Sequence, residues 1–173
     1  MPDNAAVAET VSILDGSTFL VCDRRGDVDA SPSDPHGFFF RDTRFLSRWL
    51  LTANGEPLNV LSTDETDYFH AQFFLTPQGT RTASVIRKRI IGDGFHEDIS
   101  VLNHNTDPLG LTLRLDADAD FADLFEVTDA LEKKGKRYRR IDGETLVLGY
   151  ERGDSSARRA SVRRSPRSST RTA

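Results

Sequence analysis

The 173-residue sequence lacks several features that define whole classes of protein. Its single cysteine, Cys22, excludes a disulfide framework and a cysteine-based zinc site. No apolar run approaches the roughly 20 residues that a membrane helix requires. The N-terminus has neither the basic nor the apolar region of a signal peptide, and no Asn-x-Ser/Thr acceptor is present. We therefore expect a soluble, cytoplasmic protein with no membrane partner.

Motifs for metal ions and cofactors are also absent. The four histidines show no His-Glu-x-x-His or similar ligand spacing. Asp116, Asp118 and Asp120 alternate along one stretch, and clustered carboxylates can hold a hard cation. Without EF-hand spacing, we interpret these three as a solvated acidic face rather than a calcium site. We expect no metal, no cofactor and no catalytic residue in this chain.

The spacing of apolar residues is typical of β-strands. From Leu109 to Phe121 every second residue is apolar, which predicts one strand face on a core and one toward water. Val85–Ile91 and Phe95–Asn103 flank Gly92-Asp93-Gly94, a pattern that predicts an antiparallel hairpin. Asn54-Gly55 marks a second hairpin, in which Phe45–Ala53 leads into the turn and Leu58–Leu61 leads out. Helix candidates are scarce. These patterns predict an all-β fold, an antiparallel two-sheet β-sandwich of the supersandwich type.

Charge is distributed unevenly along the chain. Residues 1–132 carry 10 Lys/Arg and 23 Asp/Glu, whereas residues 133–173 carry 13 and 4. The basic stretch Lys133–Arg140 suits either a nucleic-acid surface or, as we favour, a polar hairpin that keeps a sheet edge soluble. Ser155–Ala173 has six Ser, six Arg and one large aliphatic residue, Val162. We expect this tail to be disordered or to form a degenerate last strand.

Four blocks of sequence occur in a fixed order along the chain. Together they closely resemble the N-terminal domain of prokaryotic glycogen-debranching-type enzymes, the amylo-α-1,6-glucosidase-like glycoside hydrolases. The similarity spans residues 13–150. The blocks are Thr18–Asp27 (TFLVCDRRGD), Gly37–Ser47 (GFFFRDTRFLS), Gly94–Asn103 (GFHEDISVLN) and Leu113–Val127 (LRLDADADFADLFEV).

The resemblance implies a β-rich domain that precedes a catalytic (α/α)-barrel. The glycosidic chemistry would lie in the barrel, and the chain ends where the barrel would begin. We therefore expect a non-catalytic domain, in a truncated or isolated chain, with no hydrolase activity of its own. Residues 1–12 would form a flexible N-terminus, residues 13–154 the debranching-type β-sandwich domain, and residues 155–173 the basic tail.

The resemblance also implies the partners. We expect the domain to pack on the (α/α)-barrel and to border its α-glucan site. A docking face exposed without its barrel would promote self-association. A self-standing carbohydrate-binding module is the alternative, and a nucleic-acid-binding protein that uses the basic tail is less favoured.

The block Gly37–Ser47 contains the candidate site residues Arg41, Asp42 and Arg44. Arginine can hold a carboxylate with two hydrogen bonds, and aspartate can accept hydrogen bonds from sugar hydroxyls. The same residues suit an Arg–Asp network that pins a strand end or a domain interface, and we favour that interpretation. Asp23–Asp27 is interpreted as a charged turn that needs Gly26 at positive φ.

Aromatic residues offer a further route to sugar binding, because a ring can stack on a sugar. Five of them could include an exposed stacking pair, although core packing in strands is the favoured interpretation. They are Trp49, Tyr68, Phe69, Phe73 and Phe74.

Overall fold

A computed structural model describes residues 10–32, 34–123, 135–152 and 156–163. These residues form fifteen strands and no α-helix, so none of them belongs to a helix that could span a membrane. The strands are β1 (Val11–Asp15), β2 (Thr18–Cys22), β3 (Val28–Asp29), β4 (Gly37–Phe40), β5 (Thr43–Leu46), β6 (Arg48–Ala53), β7 (Glu56–Pro57), β8 (Asn59–Asp67), β9 (His70–Thr76), β10 (Ala83–Ile91), β11 (Phe95–Asn103), β12 (Leu113–Asp118), β13 (Lys136–Asp142), β14 (Thr145–Arg152) and β15 (Ser156–Arg163).

The described strands are divided among four small antiparallel sheets. The strand orders are β1-β2-β4-β5, β11-β10-β9-β8, β12-β6-β3 with β7 beside β6, and β13-β14-β15. The predicted all-β, antiparallel fold is confirmed. The expected two-sheet sandwich is not clearly present, because the four sheets form a propeller-like ring. Alternation of apolar residues identifies the buried face of a strand, but it does not identify the strand's neighbours.

The hairpin around Gly92–Gly94 is confirmed, and the one at Asn54-Gly55 is confirmed at its turn, but its returning strand is Glu56–Pro57 rather than Leu58–Leu61. β10 and β11 pair from Ala83 opposite Asn103 to Ile91 opposite Phe95. β6 and β7 are joined by Asn54 and Gly55, whose φ angles of 53° and 87° suit the tight hairpin turn that Asn-Gly favours. Short-range turn chemistry was therefore enough to fix these two registers.

The strand predicted from Leu109 to Phe121 is shorter in the structure. β12 spans only Leu113–Asp118 and is hydrogen-bonded on one side, to β6. Leu115 is 36% exposed, so the alternation does not correspond to a clean division between core and solvent. Among the described strands, β12 lies at the edge of its sheet and pairs with β6 alone.

The part of the chain that the structure describes begins and ends in strands. β1 begins at Val11, inside the segment that was expected to be flexible, and residues 1–9 lie outside the described residues. In the basic tail, Ser156–Arg163 forms β15, in which Val162 is paired opposite Leu146. Residues 164–173 of the tail lie outside the described residues as well.

The core lies where inward faces of the sheets meet. Trp49 of β6 packs edge-on against Phe95 of β11, with ring centroids 5.2 Å apart. Phe121, which follows β12, packs against Tyr150 of β14 at 6.2 Å. Each fully buried large apolar side chain contributes about 1.5–3 kcal/mol. Among the described residues this core also contains two fully buried arginines, Arg87 and Arg89.

Candidate functional site

A network of buried charges links two sheets of the domain and the turn between β2 and β3. Arg87 on β10 donates from Nη1 to Asp27 Oδ1 at 2.6 Å and from Nε to Glu97 Oε1 at 2.5 Å. Arg89 donates from Nη2 to Glu97 Oε2 at 3.3 Å. Trp49 on β6 donates its indole N–H to the same carboxylate. The network therefore ties β6, β10, β11 and the turn before β3 together.

The network is charged at neutral pH. Burial raises the pKa of Glu97, but the adjacent Arg89 and Arg87 outweigh it and hold the pKa at about 2. Burial lowers the pKa of Arg87, but Glu97 and Asp27 more than compensate and raise it above its ordinary value. The Arg89 guanidinium also lies over the rings of Phe73 and Phe95, about 5.1 and 5.2 Å from their centroids, where cation–π attraction stabilises it.

The network fixes the turn Asp23–Asp27 in one shape. Asp23 Oδ1 accepts hydrogen bonds from the backbone N–H groups of Arg25 and Asp27, both at 2.8 Å. Asp27 Oδ1 also accepts from Leu51 N at 3.1 Å. Gly26 has a φ of 78°, as predicted, and a Cβ there would lie 3.0 Å from the Phe73 ring. The turn is therefore held from inside by β6, β9 and β10.

A cleft of about 430 Å³ lies beside this turn, and we call it the turn cleft. His36 lines it and is only 7% exposed. Its Nδ1 accepts from Asp29 N at 3.5 Å, and its Nε2 has no hydrogen-bond partner. Within the described part of the chain, no three His, Cys, Asp or Glu side chains are placed to hold a metal ion. The other polar groups at the turn cleft include Asp23, Arg25, Asp27 and Asp34, and its apolar groups are Leu50, Leu51 and Pro57.

Of the predicted site residues, Arg44 points inward. It is buried on β5 and donates from Nε to Asp120 Oδ1 at 3.2 Å and from Nη2 to Oδ2 at 2.5 Å. Its Nη1 donates to the carbonyl oxygen of His36 at 3.3 Å. A Cβ at Gly37 would lie 2.5 Å from Arg44 Cδ, so the glycine leaves space for this side chain. Arg44 therefore joins β5 to the chain that follows β12.

Arg41 and Asp42 point outward and are exposed. They form the turn between β4 and β5, and Arg41 has a φ of 53°. The Arg41 guanidinium lies 5.2 Å from the centroid of the Phe40 ring, which is itself 43% exposed. The structure therefore separates the three predicted residues into one buried clamp and an exposed pair at a hairpin tip.

The alternating aspartates do not act as one acidic face. Asp116 accepts from Arg114 Nε at 3.0 Å, and Asp118 Oδ1 accepts from the backbone of Ala119 at 2.8 Å. Asp120 lies beyond the end of β12 and pairs with Arg44. Two of the three aspartates therefore have an arginine partner within the domain.

A family model for the N-terminal domain of some glycogen debranching enzymes matches residues 13–173. The chain belongs to this family. The resemblance carried by the four ordered sequence blocks is thereby confirmed, and the match extends through the basic end of the chain. No curated protein matches the sequence.

The charges in the core of this debranching-enzyme N-terminal domain were missed by the sequence reasoning, although a signal was present. Arg87 and Arg89 share the parity of Val85 and Ile91, so strand alternation places them on the buried face of β10. Glu97 likewise alternates in phase with the apolar residues of β11. Charged residues in phase with a core face indicate a buried ion network, because burial of an unpaired charge is too costly.

The turn cleft of the debranching-enzyme domain had no comparable signal. Asp27 and Leu51 are 24 residues apart, and Asp27 and Arg87 are 60 apart. No periodic pattern connects positions at such separations. The sequence identified Asp23–Asp27 as a turn, but only the tertiary fold places it against β6 and β10.

Proposed function

We propose that this chain is the non-catalytic N-terminal β-domain of a glycogen-debranching-type glycoside hydrolase. It packs against a catalytic (α/α)-barrel domain and borders the α-glucan site of that barrel. The family match over residues 13–173 carries this proposal. The hairpin tip of β4 and β5 supplies a surface through which the packing occurs.

The hairpin tip has the composition of a protein interface. Phe40, Arg41 and Asp42 are consecutive and exposed, so an aromatic ring, a cation and an anion are presented together. Aromatic residues and arginine are enriched among the residues that dominate binding energy. Behind the tip, the Arg44–Asp120 pair anchors β5, so little conformational entropy is lost when the tip binds.

Glu97, a buried carboxyl group whose pKa is shifted, is unsuited to glycoside hydrolysis. That reaction needs one carboxylic acid to protonate the leaving oxygen and a second carboxylate as base or nucleophile. Glu97 has a pKa of about 2, and its side chain is 2% exposed between two arginines. It is therefore ionised and out of reach of a glycan, which supports a non-catalytic role.

The packing can be tested with the full chain and a separately purified (α/α)-barrel domain from a debranching enzyme of this family. We expect a complex by sedimentation velocity and titration calorimetry. The charge-reversed double variant Arg41→Glu/Asp42→Lys should weaken it at least about tenfold, or 1.4 kcal/mol. Lys88→Glu, on the exposed face of β10, is the matched control and should bind as the parent chain does.

Two results would overturn the proposal. If the chain and the barrel do not form a complex with each other at micromolar concentration, the packing role is wrong. If the purified chain alone releases glucose from a branched α-glucan, the non-catalytic assignment is wrong.

A further inference from the structure

A cleft also lies between the end of β12 and strand β13, and we call it the strand-end cleft. Its volume is about 240 Å³, and it is lined by Asp118, Ala119, Arg137, Tyr138, Arg139 and Leu148. We propose that it binds a small phosphorylated polyol, with the two arginines on the phosphate group and Asp118 on a hydroxyl group. This binding is independent of the packing against a barrel, so either proposal can fail without the other.

Arg137 and Arg139 occupy the face of β13 that is directed toward the core. In the β13–β14 ladder, Arg137 is directly opposite Tyr150, and Arg139 is directly opposite Leu148. Directly opposite residues of an antiparallel pair project to the same side of the sheet. Tyr150 and Leu148 are only 3% and 2% exposed, whereas both arginines are exposed. The arginine stems therefore lie beside apolar core residues, and the guanidinium groups reach solvent at the cleft.

The two cleft arginines differ from the other inward-facing arginines because they are unpaired. Arg87 on β10 pairs with Glu97, and Arg44 on β5 pairs with Asp120. Within the described residues, the cleft arginines make no hydrogen bond or ion pair through their side chains. Positions that depart from the pattern of a fold are commonly functional sites. An anion from outside the domain would complete the pattern.

The charge and spacing of the cleft arginines favour a phosphate group over a carboxylate. Arg137 and Arg139 are separated by one residue on the same strand, so their Cα atoms are about 6.6 Å apart and both side chains can reach one group. A phosphate monoester carries about −1.5 to −2 charge and three acceptor oxygens, which matches two cations, whereas a carboxylate matches one. Guanidinium groups also bind phosphate oxygens through paired hydrogen bonds.

Asp118 supplies a hydrogen-bond acceptor on the β12 side of the cleft. Its Oδ1 accepts from Ala119 N at 2.8 Å. In the described structure, no ion pair joins its carboxylate to either cleft arginine. This carboxylate would repel a bare anion, whereas a hydroxyl group next to the phosphate would donate a hydrogen bond to it. Opposite charges that stay apart across the cleft therefore suit a ligand that is both anionic and hydroxylated.

The size of the cleft limits the ligand to a small molecule. Its apolar lining residues, Ala119 and Leu148, are 3% and 2% exposed and belong to the core. The volume of about 240 Å³ is below the range of about 300–1,000 Å³ that is usual for drug-sized ligands. A phosphorylated monosaccharide suits this volume. A nucleic-acid strand would need a longer basic surface, because its affinity comes from many phosphate contacts.

The test uses the full chain and glucose-6-phosphate as the probe, with titration calorimetry and protein NMR shifts. We expect a Kd in the millimolar range and shifts confined to the strand-end cleft. Arg137→Gln and Arg139→Gln should each weaken binding at least about fivefold, because each removes one cation from the phosphate. Arg140→Gln is the matched control and should leave the Kd unchanged, since Arg140 is exposed on the opposite face of the same strand. Thermal melts of all variants exclude unfolding as the cause.

Two further ligands test the two halves of the site. Inorganic phosphate lacks the hydroxyl groups that would contact Asp118, and glucose lacks the phosphate. Each should bind at least about tenfold more weakly than glucose-6-phosphate. Asp118→Ala should reduce the preference for glucose-6-phosphate over inorganic phosphate, because it removes the hydroxyl acceptor and the repelling charge together.

The other outcomes would overturn the assignment. Absence of shifts at about 20 mM glucose-6-phosphate, well above a millimolar Kd, would do so. So would an affinity for glucose or for inorganic phosphate that equals the affinity for the probe. An equal loss of binding in Arg140→Gln would show diffuse electrostatic attraction instead of a site. Tighter binding of a single-stranded oligonucleotide, weakened equally by all three arginine variants, would assign β13 to a polyanion surface instead.

Discussion

The Nε atom of Arg87 lies 2.5 Å from Glu97 Oε1 inside a core that is otherwise largely apolar. In the β10–β11 ladder, Arg89 rather than Arg87 is the residue directly opposite Glu97. Glu97 therefore joins both arginines, one directly across and one diagonally. Removal of one partner would leave uncompensated charge in the core, which makes this network a sensitive point of the fold.

Glu97→Gln should destabilise the domain by about 3–5 kcal/mol, because two buried guanidinium groups lose their shared counter-charge. The measurement is urea unfolding followed by fluorescence of Trp49, whose indole bonds to Glu97. Asp98→Asn, one residue away but exposed, should change stability by less than about 0.5 kcal/mol. Equal stabilities for the two variants would show that the network contributes little.

The same carboxylate predicts how stability depends on pH. The pKa of Glu97 is lowered from its ordinary value of 4.5 to about 2 in the folded domain. Its contribution is therefore fully present above pH 4.5 and is lost as the pH falls from 4.5 toward 2. In thermal melts between pH 2 and pH 6, the Tm of the parent chain should fall as the pH is lowered from 4.5 toward 2. Glu97→Gln should lack this component, and parallel curves for the two proteins would contradict the assignment.

Cys22 should resist thiol reagents in the folded domain. Burial raises its pKa to about 11, despite the opposing influence of the nearby arginines, and Sγ lies 3.7 Å from the carbonyl of Val11. The thiolate is the reactive form, so at pH 8 very little of it is present. A chromogenic disulfide reagent should react only as fast as the domain unfolds, and urea should accelerate the reaction. Rapid stoichiometric reaction without urea would show that the Cys22 thiol is accessible in the folded domain.

Gly37→Ala should destabilise the domain by about 1–3 kcal/mol. The new Cβ would lie 2.5 Å from Arg44 Cδ and 2.7 Å from the Phe39 ring, so Arg44 would have to leave its two-point contact with Asp120. Gly110→Ala is the matched control, because nothing lies within 4 Å of a Cβ there and its φ is not positive. The two variants should differ clearly in urea midpoint. An unchanged urea midpoint for Gly37→Ala would show that the Arg44 side chain can move aside without loss of stability.

Local patterns in the sequence were sufficient for the strands and hairpins but not for the sheets. Asn54-Gly55 and Gly92–Gly94 set their hairpins because a tight turn determines which residues face each other. The pairing of β12 with β6 brings together Arg114 and Thr52, which are 62 residues apart. Such pairings depend on which strand faces can be buried together, and the sequence of one strand does not identify its partner. The sandwich was therefore the natural expectation, and the ring of four sheets was not.

The candidate site was predictable only in part for a related reason. Arg41, Asp42 and Arg44 were grouped by sequence, but the tight turn sends Arg41 and Asp42 to solvent and Arg44 to the interior. The partner of Arg44 is Asp120, 76 residues away, and no local pattern connects these two residues. Chemical type can be read locally, whereas the identity of a partner is a property of the tertiary fold.

An exposed apolar patch at the β8–β9 turn should cause the chain to self-associate. Tyr68 and Phe69 are 84% and 46% exposed, and backbone hydrogen bonds from Leu14 N at 2.6 Å and Ile91 N at 2.9 Å fix the turn between β1 and β10. Leu14 itself is 51% exposed, which extends the patch. Sedimentation velocity should show a concentration-dependent increase in mass for the parent chain.

The double variant Tyr68→Ser/Phe69→Ser should remain monomeric at concentrations where the parent chain associates, because it removes the two largest apolar groups of the patch. Ile141→Ser tests the specificity, since Ile141 is 80% exposed but lies on β13, in a different sheet. Association in this control should match that of the parent. If Ile141→Ser abolishes association and the double variant does not, the contact surface lies on the β13–β15 sheet instead.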